Sequence, residues 1–437
     1  MIRYGRVAAG AAALIISVSP RLVAQDTTGG RGIFIGATYD PLHDKLAVAV
    51  LPVAGAFGDS VRTIVQRDLD YSDRFTIVPI DTTDPGALRG ANGLGLNYPL
   101  FSRIGTIAVV QITMVGGGLH VSLHDVSKGA VVNVGEFPLV SSGLSRDWRM
   151  GVHRASDEIE RWMAGQPGIA ATRIAYMRGS AIRIVDSDGA SEITVPTEEN
   201  GASPAWNPQA NMLAYATYGA SSRIYLIDLA TGRSRSLIGP TRNVSYITPE
   251  FMPDGNTIVF GRAGENGTDL YSIPVSGGDP RRMTVSRGFE SSSPAPSPDG
   301  RRVAYVNNGG GHPELYITDA DGTNNDILTN YDFSTKAYRS DPDWSPDGRL
   351  IAYQELMNGR FQLRIIKTTG STPKQLTSDG ANEQPAWAPD SRHLVFTSDR
   401  TGVRQLWVLD TESQRLRQLT KSPGSRLAAW SPHLASP

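Results

Sequence analysis

Apolar positions fall into two regimes along the 437-residue chain. From Thr172 onward they come in short bursts separated by polar turns, the pattern of strands in an all-β array. The bursts share one wording: "SPAWNPQANMLAYA" from Ser203, "TPEFMPDGNTIVFG" from Thr248, "SPAPSPDGRRVAYV" from Ser293, "DPDWSPDGRLIAYQ" from Asp341 and "QPAWAPDSRHLVFT" from Gln384. The prolines of this phrase, Pro208, Pro253, Pro298, Pro346, Pro389 and Pro432, are spaced by 45, 45, 48, 43 and 43 residues. A strand-rich repeat of ~40–50 residues predicts a β-propeller.

Each unit reads as four strands. A short strand carrying an aromatic leads into "SPDG". There proline pre-sets φ, aspartate favours the next position and glycine accepts φ > 0 to close a hairpin. An apolar strand follows ("LIAYQ" at Leu350, "LVFTS" at Leu394). The third strand reads "RIYLIDL" at Arg223 or "QLWVLDT" at Gln405, and the outer one reads "RLRQLT" at Arg415. Two turns depart from the pattern, at Gln209-Ala210-Asn211 and at Ser391. Asn211, which tolerates left-handed backbone, and Ser391, which bonds back to the main chain, keep both as turns.

The first blade-like segment, Thr172 to Val195, lacks the leading "AWSP" strand, and the chain's last words, "LAAWSP" at Leu427 to Pro432, supply one. Pairing of that tail beside Arg173–Met177 would close six blades into a ring and remove an open sheet edge. The aromatic slot holds Trp206, Phe251, Pro296, Trp344, Trp387 and Trp430, expected to pack between blades.

Residues 32–165 lack the repeat. "KLAVAVLPV" from Lys45 and "RFTIVPI" from Arg74 read as strands. Val61, Ile64, Val65 and Leu69 recur at helical spacing behind Asp59 or Ser60 as cap, and a second helix is expected near Pro99–Arg103. "TIAVVQITMVGG", "GLHVSLHDVSKG" and "AVVNVGEFPLV" form a three-strand meander. Ser145 to Gly165 reads as a helix capped by its serine and ended by its glycine. The fold class is therefore an α+β N-terminal domain followed by a six-bladed β-propeller.

Composition narrows the function. A formal charge of −1 offers no basic excess for nucleic acid. With no cysteine, disulfides, thiolate metal sites and cysteine nucleophiles are all excluded. Arg3 and Arg6 precede the apolar run Val7–Val18, which Pro20 breaks before Ala24. This is the layout of a cleaved secretory signal, too short for a membrane span. Removing residues 1–24 takes away Arg3, Arg6 and Arg21 and no acid, leaving the remainder mildly acidic. The expected boundaries are 1–24 for the signal, 25–40 for a flexible segment, 41–165 for the α+β domain and 172–435 for the propeller.

Candidate chemistry is sparse. His120 and His124 share one side of a strand, but no third metal ligand accompanies them. "DADG" at Asp319–Gly322 lacks the carboxylate spacing of a calcium loop and reads as a hairpin turn. No G-x-S-x-G occurs, which argues against a propeller-bearing peptidase. An envelope lyase or glycan-binding propeller is the alternative; it would need histidines and acids gathered at the channel.

The order of parts, the "PAWSPDG" repeat and the closing "AWSPHL" together resemble the TolB family, periplasmic components of the Tol–Pal system. The resemblance covers essentially the whole chain. It implies a non-catalytic, monomeric adaptor in the periplasm, without metal or cofactor. The propeller would bind Pal, the peptidoglycan-associated lipoprotein. A segment before the first domain would engage TolA, the inner-membrane partner, and the system would support the outer membrane during cell division. "GIFIGATYD" at Gly32–Asp40, with Ile33, Phe34 and Ile35, lies where that segment belongs.

In a propeller the first strand of each blade is innermost, so the loops entering it open on the channel mouth. These loops hold Arg242, Tyr246, Arg287, Phe289, Glu290, Tyr338, Arg339, Glu383 and Arg426. Aromatic and arginine side chains are enriched in interface cores, and these nine are the expected partner-binding residues.

Overall fold

One repeat shows why the units become blades. Arg339–Trp344, Leu350–Met357, Arg360–Lys367 and Lys374–Gln375 pair in sequence order as an antiparallel sheet. The "SPDG" turn joins the first two: Ser345 Oγ bonds Asp347 Oδ1 at 2.6 Å and accepts from Leu350 N at 2.9 Å, and Gly348 sits at φ 75°. Side chains of the second strand bury on both faces, because a neighbouring blade covers each face. Ile351 and Tyr353 join one apolar cluster, Ala352 the next.

In this computed structural model, residues 45–80, 85–90, 95–140, 143–218, 222–329 and 337–434 are described, and all lie in one compact unit. Six four-stranded sheets are present among them. Five follow chain order. The sixth is completed by the tail: Ser425–Trp430 pairs antiparallel with Arg173–Arg178, with Trp430 opposite Ile174. Trp430 Nε1 donates to Thr172 Oγ1 at 2.8 Å, and Arg173 N donates to Ser431 Oγ at 2.9 Å. The ring thus closes through strand pairing and a buried indole, and Arg173–Arg178 is covered as the second strand of its blade like its counterparts in the other five.

The two departing turns adopt the same geometry as their glycine counterparts. The left-handed residue of the first is Ala210 (φ 55°), not Asn211. Asn207 stabilises it by accepting from Asn211 N and Met212 N. Ser391 takes the same place at φ 57°.

The front domain has a five-stranded sheet. Its elements are β1 (Leu46–Val50), α1 (Gly58–Tyr71), β2 (Phe75–Ile77), α2 (Tyr98–Arg103), β3 (Ala108–Val115), β4 (Gly118–Asp125), β5 (Ala130–Pro138) and α3 (Arg146–Ala164). The strand order is β2-β1-β3-β4-β5, parallel at β1 and antiparallel across the meander. Helices α1 and α3 bury Val61, Val65, Leu69, Trp148, Val152 and Ile159 against one sheet face. Helix α3 begins and ends as its sequence predicts: Ser145 Oγ accepts from Trp148 N, and Gly165 closes it at φ 78°. Helix α1 begins earlier than expected. Its cap is Phe57 in the left-handed region, with no side-chain bond, rather than Asp59 or Ser60. The chain turns tightly here, with Gly58 N on Gly55 O, and a Cβ at Gly58 would lie 2.0 Å from Val53 O. Closeness to β1, not capping chemistry, therefore fixes where the helix starts.

Candidate functional site

Each innermost strand carries the same irregularity. Register shifts at one point in all six, and the residue there has positive φ: Ser203, Thr248, Ser293, Asp341, Gln384 and Leu427, between 44° and 57°. Five of these precede a proline, which has no N–H to leave unpaired, so a bulge is a site where it fits. None of the six is glycine, so the ring holds strained backbone around the axis.

The bulges line a central cavity of about 370 Å³. Trp206, Trp344, Trp387 and Trp430 also line it while remaining at least nine-tenths buried. Three carboxyls face this space: Glu250, Asp341 and Asp343. Asp343 accepts from Trp387 N at 2.6 Å, and Asp341 from Ser293 Oγ at 3.4 Å. Protein surrounds the channel, so burial raises all three. Asp343 rises to about 7 and Asp341 to about 6, and Glu250 moves well above the carboxylate range with Asp343 as a second cause. Among the described residues that line the cavity there is no histidine. The gathered histidines and acids that a lyase would require are thus not assembled there.

The mouth loops separate into exposed and structural members. Phe289 (46% exposed), Tyr338 (43%) and Val285 (66%) project outward, as does Tyr218 (55%) from a neighbouring hairpin. Tyr338 packs edge-on to Phe361 at 5.5 Å, and the charges of Asp341 and Glu290 act on its hydroxyl. Arg242, Arg287 and Glu290 are exposed. Arg426, half-buried, acts electrostatically on Tyr218. Glu383 pairs with Arg404 at 3.1 Å. Tyr246 is buried and bonded to Thr241 at 2.9 Å. Arg339 binds Glu314 at 2.6 Å and reaches Glu355, joining two blades. Tyr246 and Arg339 therefore stand behind the mouth. Sequence reasoning missed Tyr218 and the exposed Leu356 because they sit at the ends of second strands, beside the hairpins that lead into the third. Those hairpins emerge at the same end as the entry loops. Ile33, Phe34 and Ile35 lie outside the described residues, as does the loop 330–336.

The paired histidines of β4 are engaged by protein groups. His120 Nδ1 bonds Glu136 at 2.5 Å; His124 bonds Tyr98 OH at 2.9 Å and Gln111 at 3.1 Å. Burial lowers His124. Among the described residues one further group, Asp73, His393 and Asp410, is close enough to surround an ion. Protein cations already occupy it: Arg392 binds Asp410 through two nitrogens, and Arg415 and Lys45 bind Asp73. These pairs answer the negative charge and make the group an ion-pair network.

The front domain docks at the end of the ring opposite the mouth. Arg415 Nη2 meets Asp70 at 2.7 Å, Arg149 meets Asp188 at 2.5 Å, and Arg417 stacks on Tyr71 with 4.5 Å to the ring centre. Among the described residues, the front domain leaves the mouth uncovered.

Comparison with known proteins agrees with this architecture. Residues 160–434 match the family described as the TolB beta propeller domain. A Tol-Pal system protein TolB from Gluconobacter oxydans is 27% identical over 57% of this chain and 55% of its own. One from Methylococcus capsulatus is 30% identical over 45% of this chain and 48% of its own. The chain thus spans about half the length of the curated relatives it matches. The crystal structure of TolB from Acinetobacter baumannii superposes with a TM-score of 0.77 at 24% identity, covering 90% of this chain and 98% of that one. At that identity the match speaks to the fold.

Proposed function

Since the chain belongs to the TolB β-propeller family, we propose that it is a non-catalytic, monomeric adaptor of a Tol–Pal system, working in the periplasm after loss of a leader at residues 1–24. Its channel mouth binds the peptidoglycan-associated lipoprotein. A TolA-type inner-membrane protein engages the segment around Ile33–Ile35. This assembly supports the outer membrane during division. Among the described residues no helix is long and apolar enough to cross a membrane.

The observation that carries the reading is the exposed cluster of Phe289, Tyr338, Arg287 and Glu290 at the end of the ring that the described residues of the front domain do not cover. Aromatic and arginine side chains at the centre of a concave surface are the usual anchors of protein interfaces. A partner that shifts the N-terminal segment changes affinity at the mouth, and the reverse holds by reciprocity.

Titration calorimetry with the soluble domain of a peptidoglycan-associated lipoprotein tests this. Phe289→Ala and Tyr338→Ala should each weaken binding by ~5- to 30-fold, the range of an interface anchor. Deleting residues 25–40 should change the affinity as well. Wild-type affinity in both alanine variants would remove the mouth from the interface.

A further inference from the structure

Two histidines with no exposed surface lie where the front domain meets the propeller. Their surroundings mirror each other. His153, on α3, bonds Asp68 of α1 through Nδ1 at 2.7 Å, and its Nε2 stands 3.6 Å from Asp188 of the propeller. His393, on the propeller, bonds Asp390 of its own turn through Nδ1 at 2.6 Å, and its Nε2 stands 3.5 Å from Asp73 of the front domain. Each ring therefore spans one carboxylate from its own side and one from the other.

We propose that docking of the front domain is a proton-linked clamp, in which His153 and His393 act as imidazolium bridges between carboxylates of the two domains. The chemistry follows from the ring. A neutral imidazole carries one N–H and one lone pair. With the proton on Nδ1, the Nε2 lone pair faces the partner domain's carboxylate. With it on Nε2, the Nδ1 lone pair meets a carboxylate at hydrogen-bond distance. Only the doubly protonated ring suits both contacts.

The other charges facing each ring are accounted for. Arg67 of α1 opposes protonation of His153 but is itself paired with Asp188, as is Arg149 of α3. Asp410 adds a third negative charge near His393, while Arg392, Arg415 and Lys45 are held by Asp410 and Asp73. Glu160 of α3 also faces His393 and is paired with Arg74 at 2.9 Å. His433 feels Asp390 as well, but burial lowers it. Burial opposes the charged ring, and the aspartates outweigh it: both histidines are raised, His393 to about 9. A raised histidine gives its full contribution below its free value near 6.5 and loses it as pH climbs through the raised one. The clamp is therefore closed at neutral pH and loosens as pH climbs toward about 9.

Full-length protein labelled at histidine 13Cε1 gives the first readout. Two rings should remain imidazolium at pH 7.5. Neutral rings at both sites would overturn the proposal. Hydrogen exchange, corrected for its intrinsic pH dependence, gives the second. Protection of segments 68–74 and 166–172, relative to the blade strand 303–306, should fall by about tenfold for each pKa unit gained on docking. In His393→Gln that pH-dependent fall should shrink and protection should already be reduced at pH 7. A protection ratio flat from pH 7 to 10 in the wild type overturns the linkage, whether or not the variant folds.

Discussion

Truncating Trp430 probes ring closure at its most exacting point. The indole is 7% exposed and packs with Ile169, Ile174, Tyr176, Val395 and Leu406. Its Nε1 donates to Thr172 Oγ1 at 2.8 Å, across 258 residues of chain. Removing a buried tryptophan costs about 3–5 kcal/mol through lost transfer energy and the cavity left behind. The hydrogen bond contributes about 1 kcal/mol of that, so Trp430→Phe should cost roughly 1–2 kcal/mol and Trp430→Ala the larger figure. Thr172, left buried without its donor, adds to the loss in both. Urea unfolding followed by circular dichroism measures both. With a slope near 3 kcal/mol/M, the alanine variant should shift the midpoint by about 1–1.7 M. The edge Arg173–Arg178 should at the same time become open to proteases. Should Trp430→Ala unfold within ~1 kcal/mol of wild type, the tail strand is not what seals the ring.

Two more predictions concern the channel and the turns. Asp343 is raised to about 7 by burial, so the folded state holds its proton more tightly than the unfolded chain and stability falls as pH rises from ~4 to 7. Asp343→Asn should therefore leave the melting temperature unchanged near pH 4 and raise it at pH 8, by up to ~4 kcal/mol of stability and less where channel water screens the charge; an equal effect at both pH values would contradict the assignment. Gly322 (φ 86°) would place a Cβ 2.2 Å from the backbone oxygen of Met283, whereas Gly359 (φ 79°) has nothing within 4 Å. Gly359→Ala should cost ~1–2 kcal/mol from backbone strain alone and Gly322→Ala clearly more, and matching thermal melts for the two would refute the steric account.

How far the sequence reached depended on the range of the forces involved. The blade number, the hairpin turns and the tail that completes the ring were legible because they rest on local rules. Apolar alternation, proline and glycine φ preferences and a repeat of fixed length all act within a few residues of each other. The same rules located α3 through Ser145 and Gly165. They failed where a distant neighbour decides. Phe57 caps α1 because Gly58 is pressed against Val53. Arg339 has the look of a mouth residue, yet Glu314 and Glu355 draw it between blades. The six left-handed bulges run against the local preference of non-glycine residues. Asp73 and His393 are 320 positions apart in the chain and meet at 3.5 Å. Periodicity along the chain carries no information about depth or about which charges share an interface. Those follow only once the ring has closed and the front domain has been placed against it.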